Sequence, residues 1–176
     1  MTSATSRVLS TTELLEHILL HLPPPSLLFA QRICTTWRSL IQRSLPLQRA
    51  LFLAPTAQPL LVSSDPPYTL PPVNPFLKSA FAGHIDRHSK PMRWVTAQGE
   101  HCIVFVVRVV SAEWPDAFKY PEASWRQMLL TQPPVKAASV MDFSGVGLAV
   151  GPRRGVAHFE ARNEEGVRMM EVVYAR

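Results

Sequence analysis

The stretch that most limits how this chain can fold is residues 9–54, LSTTELLEHILLHLPPPSLLFAQRICTTWRSLIQRSLPLQRALFLA. It is a short series of helical apolar repeats broken by prolines. A block of this size is marginal as an isolated core, since domains below about 40–60 residues bury too little surface to be secure alone. So much Leu, Ile and Trp therefore calls for a partner surface, from the rest of the chain or from another protein. The block reads as a docking module.

Its first helix is predicted from Ser10, which with Glu13 three residues later fits a capping box. Leu14, Leu15, Ile18, Leu19 and Leu22 then fall at i, i+1, i+4, i+5 and i+8 and make one apolar stripe. Glu13, Glu16, His17 and His21 lie opposite, and Leu20 lands among them, as a partner contact or as one more ordinary exposed leucine. Pro23, Pro24 and Pro25 are expected to stop the helix. Ser26 can cap a second helix carrying Leu27, Leu28, Phe29, Ala30 and Ile33. Thr35 or Thr36 can restart a third with Trp37, Leu40 and Ile41, or residues 27–44 can form one bent helix. Pro46 closes the module in either reading.

Composition narrows the class of protein. The chain has 176 residues, enough for one compact domain plus a small module, and its 47% apolar content excludes general disorder. The 17 prolines, nearly twice the usual share of about 5%, cluster at 23–25, 55–75 and 133–134 and so mark junctions. Cys34 and Cys102 form neither a disulfide framework nor a paired zinc motif, and Cys34 is expected to be a small core residue. Glu13 and Glu16 interrupt the only early apolar stretch, so no secretory signal is expected. The run Cys102–Val107 stops at Arg108, far short of the ~20 residues that span a bilayer. A cytosolic or nuclear location with no membrane partner follows as an expectation. The net charge of +5 divides into +3 for residues 1–53, five Arg against two Glu, and +2 for the rest. A mild excess of this kind attracts acidic partners but does not indicate nucleic acid.

The second half reads as mixed α and β. Residues 55–75, proline-rich with Ser63, Ser64 and Asp65, are expected to be a linker. His101–Ser111 is a β-branched apolar run suited to a buried strand, with Trp94 and Val95 beginning its neighbour. Ser124 can cap a short helix carrying Trp125, Met128 and Leu129, ended by Pro133 and Pro134. Val156–Arg162 and Val167–Tyr174 alternate around Asn163-Glu164-Glu165-Gly166, which predicts a hairpin with Ala157, Phe159 and Ala161 on one face and Met170, Val172 and Tyr174 on the other strand's matching face.

Chemistry-bearing motifs are few. No Gly-rich phosphate loop, nucleophile elbow, zinc-protease helix or CxxC pair is present. The nearest metal pattern is His84 and His88 with His101 and Cys102 downstream, but histidines in such a polar loop are far more often plain surface residues. Arg153-Arg154, flanked by Gly151-Pro152 and Gly155, reads as a solvated turn before it reads as a phosphate site. Glu113, Asp116 and Glu122 have no partner base. We expect no catalytic residues, no metal and no cofactor.

Taken in order, Glu13-Leu14-Leu15, Ile18-Leu19, Leu22-Pro23, Leu27-Leu28, Ile33-Cys34 and Trp37-Arg38 resemble the F-box pattern, in spacing as well as type. Ser10-Thr11 stand where many F-boxes have Leu-Pro. The phrases TTELLEHILLHLPP, QRICTTWRSLI and LPLQRALFLAP are similar to those of small fungal F-box proteins, as are Asn74-Pro75-Phe76-Leu77 and the segment from Ser124 to Val135. The resemblance implies a Skp1-docking surface at Leu14, Leu15, Ile18, Leu19, Leu22, Pro23, Leu27, Leu28, Ile33, Cys34, Trp37 and Leu40. Arg32, Arg38 and Arg43 would face an acidic adaptor or simply water.

The expected fold is α+β: the resemblance implies a three-helix F-box module at 9–54, and the sequence pattern beyond it a Pro-rich linker at 55–75 and a mixed α/β region at 76–176 ending in a β-hairpin. The implied role is that of substrate adaptor in an SCF ubiquitin ligase. Skp1, and through it a cullin, would be the partners, with an unidentified protein substrate. The alternative is a Skp1-binding protein that assembles no ligase. No leucine-rich or WD40 repeat is visible in the remaining chain.

Overall fold

The computed structural model describes residues 3–56, 70–79, 89–95, 101–109, 116–142 and 157–173. The chain divides into two compact units, Met1–Ala54 and Pro55–Arg176.

The first unit holds five helices rather than three: α1 Ala4–Ser10, α2 Thr12–Leu20, α3 Pro24–Ala30, α4 Thr35–Arg43 and α5 Leu45–Ala50. The expected capping box does not form. Ser10 is the last residue of α1 and its hydroxyl donates to the Arg7 carbonyl at 2.9 Å, while Thr11 precedes α2 with its own hydroxyl also on the Arg7 carbonyl. The three prolines begin a helix as well as separating two. α2 ends at Leu20, and Pro24 occupies the first turn of α3, where a missing N–H costs nothing. Ser26 is therefore inside that helix rather than its cap.

Gln31–Cys34 separate α3 from α4, so residues 27–44 are two helices. Pro46 likewise sits in the first turn of α5 instead of closing the module, and the Ser44 hydroxyl accepts from the Leu47 N–H to cap that turn. α5 ends in a Schellman arrangement, with Leu53 N–H on the Gln48 carbonyl and Phe52 N–H on the Arg49 carbonyl. Phe52 takes the left-handed position, φ 60°, that glycine usually fills.

Leu15 and Leu19 from α2, Leu27 and Ala30 from α3, Ile41 from α4, and Leu47 with Leu51 around α5 form the core, all at 3% exposure or less. Polar ties join the helices across it. The Ser44 hydroxyl donates to the Glu16 carboxylate, and the Gln48 side-chain amide donates to the Ile41 carbonyl at 2.6 Å.

The second unit is built on a four-stranded sheet in the order β1-β2-β3-β4, with β1 Lys90–Val95, β2 His101–Val109, β3 Ala137–Asp142 and β4 Ala157–Arg162. β1 and β2 are antiparallel with Met92 opposite Val104, β2 and β3 parallel with Val107 opposite Val140, and β3 and β4 antiparallel with Val140 opposite Phe159. The parallel pair needs a crossover, which contains two short 3-10 helices, Asp116–Lys119 and Ser124–Gln127. Met128 and Leu129 lie beyond the second of these, buried, rather than within a helix capped by Ser124.

Among the described residues the predicted hairpin does not form. β4 pairs with β3, and residues after the Asn163–Gly166 turn form α7, Met169–Val173. Local capping overrides the alternating pattern. The Glu171 carboxylate accepts from the Arg168 N–H at 2.8 Å and from the Asn163 side-chain amide at 2.6 Å, so the third helical residue reaches back to close the helix start.

Part of the expected linker belongs to this unit. Val73 bridges Thr131, and Asn74, fully buried, donates from its side chain to the Leu129 carbonyl at 2.8 Å while accepting from the Phe76 N–H. The Asn74 N–H also donates to the Leu130 carbonyl at 2.8 Å. The helix α6, Pro75–Ser79, starts there. Thus the Asn-Pro-Phe-Leu and Ser-Trp-Arg segments, far apart in the chain, hold each other. Phe76, Leu77, Met128, Leu129, Leu130, Val135, Val140, Val167, Met169 and Val172 are all buried. Among the described residues no helix is long and apolar enough to cross a membrane.

Candidate docking surface

A docking surface needs apolar side chains that the module's own core does not use. In the first unit α2 supplies two. Its apolar stripe is wider than one core can take, so Leu15 and Leu19 turn inward while Leu14 and Ile18 remain 47% and 40% exposed. The loop between α3 and α4 supplies Ile33, 63% exposed, and Cys34, which is exposed and free rather than buried. Cys34 has extended backbone and is the residue before α4.

The twelve residues assigned from the sequence thus separate into three groups. Leu14, Ile18, Pro23, Ile33 and Cys34 are exposed; Leu22, Leu28, Trp37 and Leu40 are half-buried; Leu15, Leu19 and Leu27 are buried in the core. A groove of about 520 Å³ brings some of these together with residues that sequence reasoning missed. Leu9, Leu15 and Leu40 give it apolar walls, and Thr12, Thr36 and Ser39 give it hydroxyls.

Phe29 was also missed as a surface residue, at 60% exposure. The signal was available, because two positions past Leu27 on a helix is about 200° round the axis, away from the core. The Arg32 guanidinium lies 5.5 Å from the Phe29 ring centroid, a cation–π contact that covers part of the ring. Arg38 donates to the Gln31 carbonyl at 3.3 Å and so braces the α3–α4 loop, while Arg43 reaches the groove. The surface is apolar with a basic margin.

The F-box domain family model matches residues 11–49. Those residues are similar to an F-box. The matched segment runs from the residue before α2 into α5, and so takes in both the exposed strip of α2 and the α3–α4 loop. An F-box domain marks protein–protein interaction in the ubiquitin pathway, through Skp1 in SCF complexes. No curated protein and no solved structure gives a significant match to the chain.

The other candidate positions belong to the second unit. His84, His88 and Arg153-Arg154 lie outside the described residues. Among the described residues no group of three or more His, Cys, Asp or Glu is arranged to hold a metal. Asp116 is tied to Lys119 at 2.5 Å, and this contact holds its carboxyl below the usual range.

Proposed function

We propose that the protein is a substrate adaptor of an SCF-type ubiquitin ligase. Its F-box docks on Skp1, and residues 55–176 recruit a protein target. The observation that carries this reading is the exposure of Leu14, Ile18, Ile33 and Cys34 on a module whose core is already complete without them. Bound apolar side chains of this size contribute about 1.5–3 kcal/mol each. The basic margin of Arg32, Arg38 and Arg43 suits an acidic partner and its long-range attraction. The work done is proximity, holding a target lysine near a charged ubiquitin carrier, with no chemistry supplied by this chain.

The test is titration calorimetry of the full-length protein with Skp1. Leu14→Ala combined with Ile33→Ala should weaken binding by on the order of a hundredfold, since truncating a central interface residue costs about 2 kcal/mol or more. Glu164→Ala, in an exposed turn of the second unit, should leave it unchanged. An affinity within threefold of wild type for the double variant would overturn the docking assignment. Whether a cullin co-purifies with Skp1 then separates a ligase adaptor from a Skp1-binding protein that assembles none.

A further inference from the structure

The outer face of α2 carries a second feature, independent of its apolar strip. His17 and His21 are one helical turn apart, both exposed, with ring centroids 4.9 Å apart and planes at 89°. We propose that this pair chelates a divalent transition-metal ion of the Zn²⁺ class.

Three observations converge on that reading. Histidines at i and i+4 on one helix face are the spacing by which a helix presents two imidazoles to one ion. The ring separation also fits. With metal–nitrogen bonds of about 2.0–2.1 Å, two imidazoles sharing an ion at angles near 90–109° have centroids about 4.5–5.2 Å apart. Finally, the pair occupies the last turn and C-terminal cap of α2, where the helix dipole places partial negative charge and favours a cation.

The surroundings add charge without crowding. Glu13 stands one turn before His17 on the same face, whereas the Glu16 carboxylate is engaged by the Ser44 hydroxyl. Two protein ligands leave the remaining coordination positions to water or to a docked partner. At about 100° per residue, His21 stands roughly 20° from Leu14 round the axis rather than opposite it as expected from the sequence, so the ion would border the exposed apolar strip.

Calorimetric titration of the tag-free full-length protein with ZnCl₂ tests the assignment, with His17→Gln and His21→Gln as single variants. Both side chains are exposed on a helix, so each variant should keep the wild-type far-ultraviolet circular dichroism. Each should weaken Zn²⁺ binding at least tenfold. Loaded with Cu²⁺ instead, the wild type should show superhyperfine splitting from two imidazole nitrogens in its electron paramagnetic resonance spectrum, and either variant from one. A loss of less than tenfold in either variant, or a two-nitrogen Cu²⁺ spectrum in the double variant, would overturn the site and leave the pair as an edge-to-face ring contact.

Discussion

Neighbouring residues of one type have opposite fates in the F-box. Leu14 and Leu15, or Ile18 and Leu19, are adjacent in one apolar stripe, yet the second of each pair is at 1% exposure or less while the first is 40% or more exposed. Hydrophobic spacing marks the stripe but does not say where the core ends and a partner begins. Leu19, expected from the resemblance on the docking surface, lies in the core, so Leu19→Ala should act on folding, with a cost of about 2–5 kcal/mol for an emptied core position. Gly166 is the clearest single-residue constraint in the second unit. Its φ is +114°, and a Cβ there would lie 2.4 Å from the Pro134 Cβ. Gly166→Ala should therefore destabilise that unit by about 2 kcal/mol or more, through strain and steric overlap together. Thermal unfolding followed by near-ultraviolet circular dichroism checks this, and a midpoint within one degree of wild type would contradict it.

Among the elements, helices were easier to foresee than their ends. The apolar periods of α2 and α4 are legible, but the prolines by themselves predict stops, whereas Pro24 and Pro46 also occupy first turns. Proline has both roles, and only the position of the preceding helix end decides between them. The strand β2 was legible because a long β-branched run suits a strand flanked by neighbours on both edges, as it is by β1 and β3. Residues 167–174 misled because their alternation is compatible with a strand, whereas the Glu171 carboxylate closes a helix start on Arg168. Glu171→Ala should remove that closure and the Asn163 contact, lowering the stability of the second unit by about 1–2 kcal/mol. Faster amide exchange confined to Met169–Val173 would be the signature, and unchanged protection there would refute the capping role.

At the scale of the whole molecule, the chain separates at Ala54 into two units, each with its own buried cluster. We expect a fragment ending at Ala54 to bind Skp1 and a fragment of residues 55–176 not to; retention of Skp1 by the second fragment in a pull-down would defeat that division of labour. The F-box itself was readable because its matched residues lie within one short segment, where spacing along the chain is spacing in space. The second unit was less so. Its sheet joins strands through a parallel crossover, and its buried Asn74 finds partners at Leu129 and Leu130, more than fifty residues away. Local sequence determined the helical module, the β2 strand and the Asn163–Gly166 turn, because each depends on side chains a few residues apart. Only the tertiary structure decided which leucines remain outside, that β4 pairs with β3, and that the Asn163–Gly166 turn leads into a helix, because those outcomes depend on contacts between segments that no local pattern records.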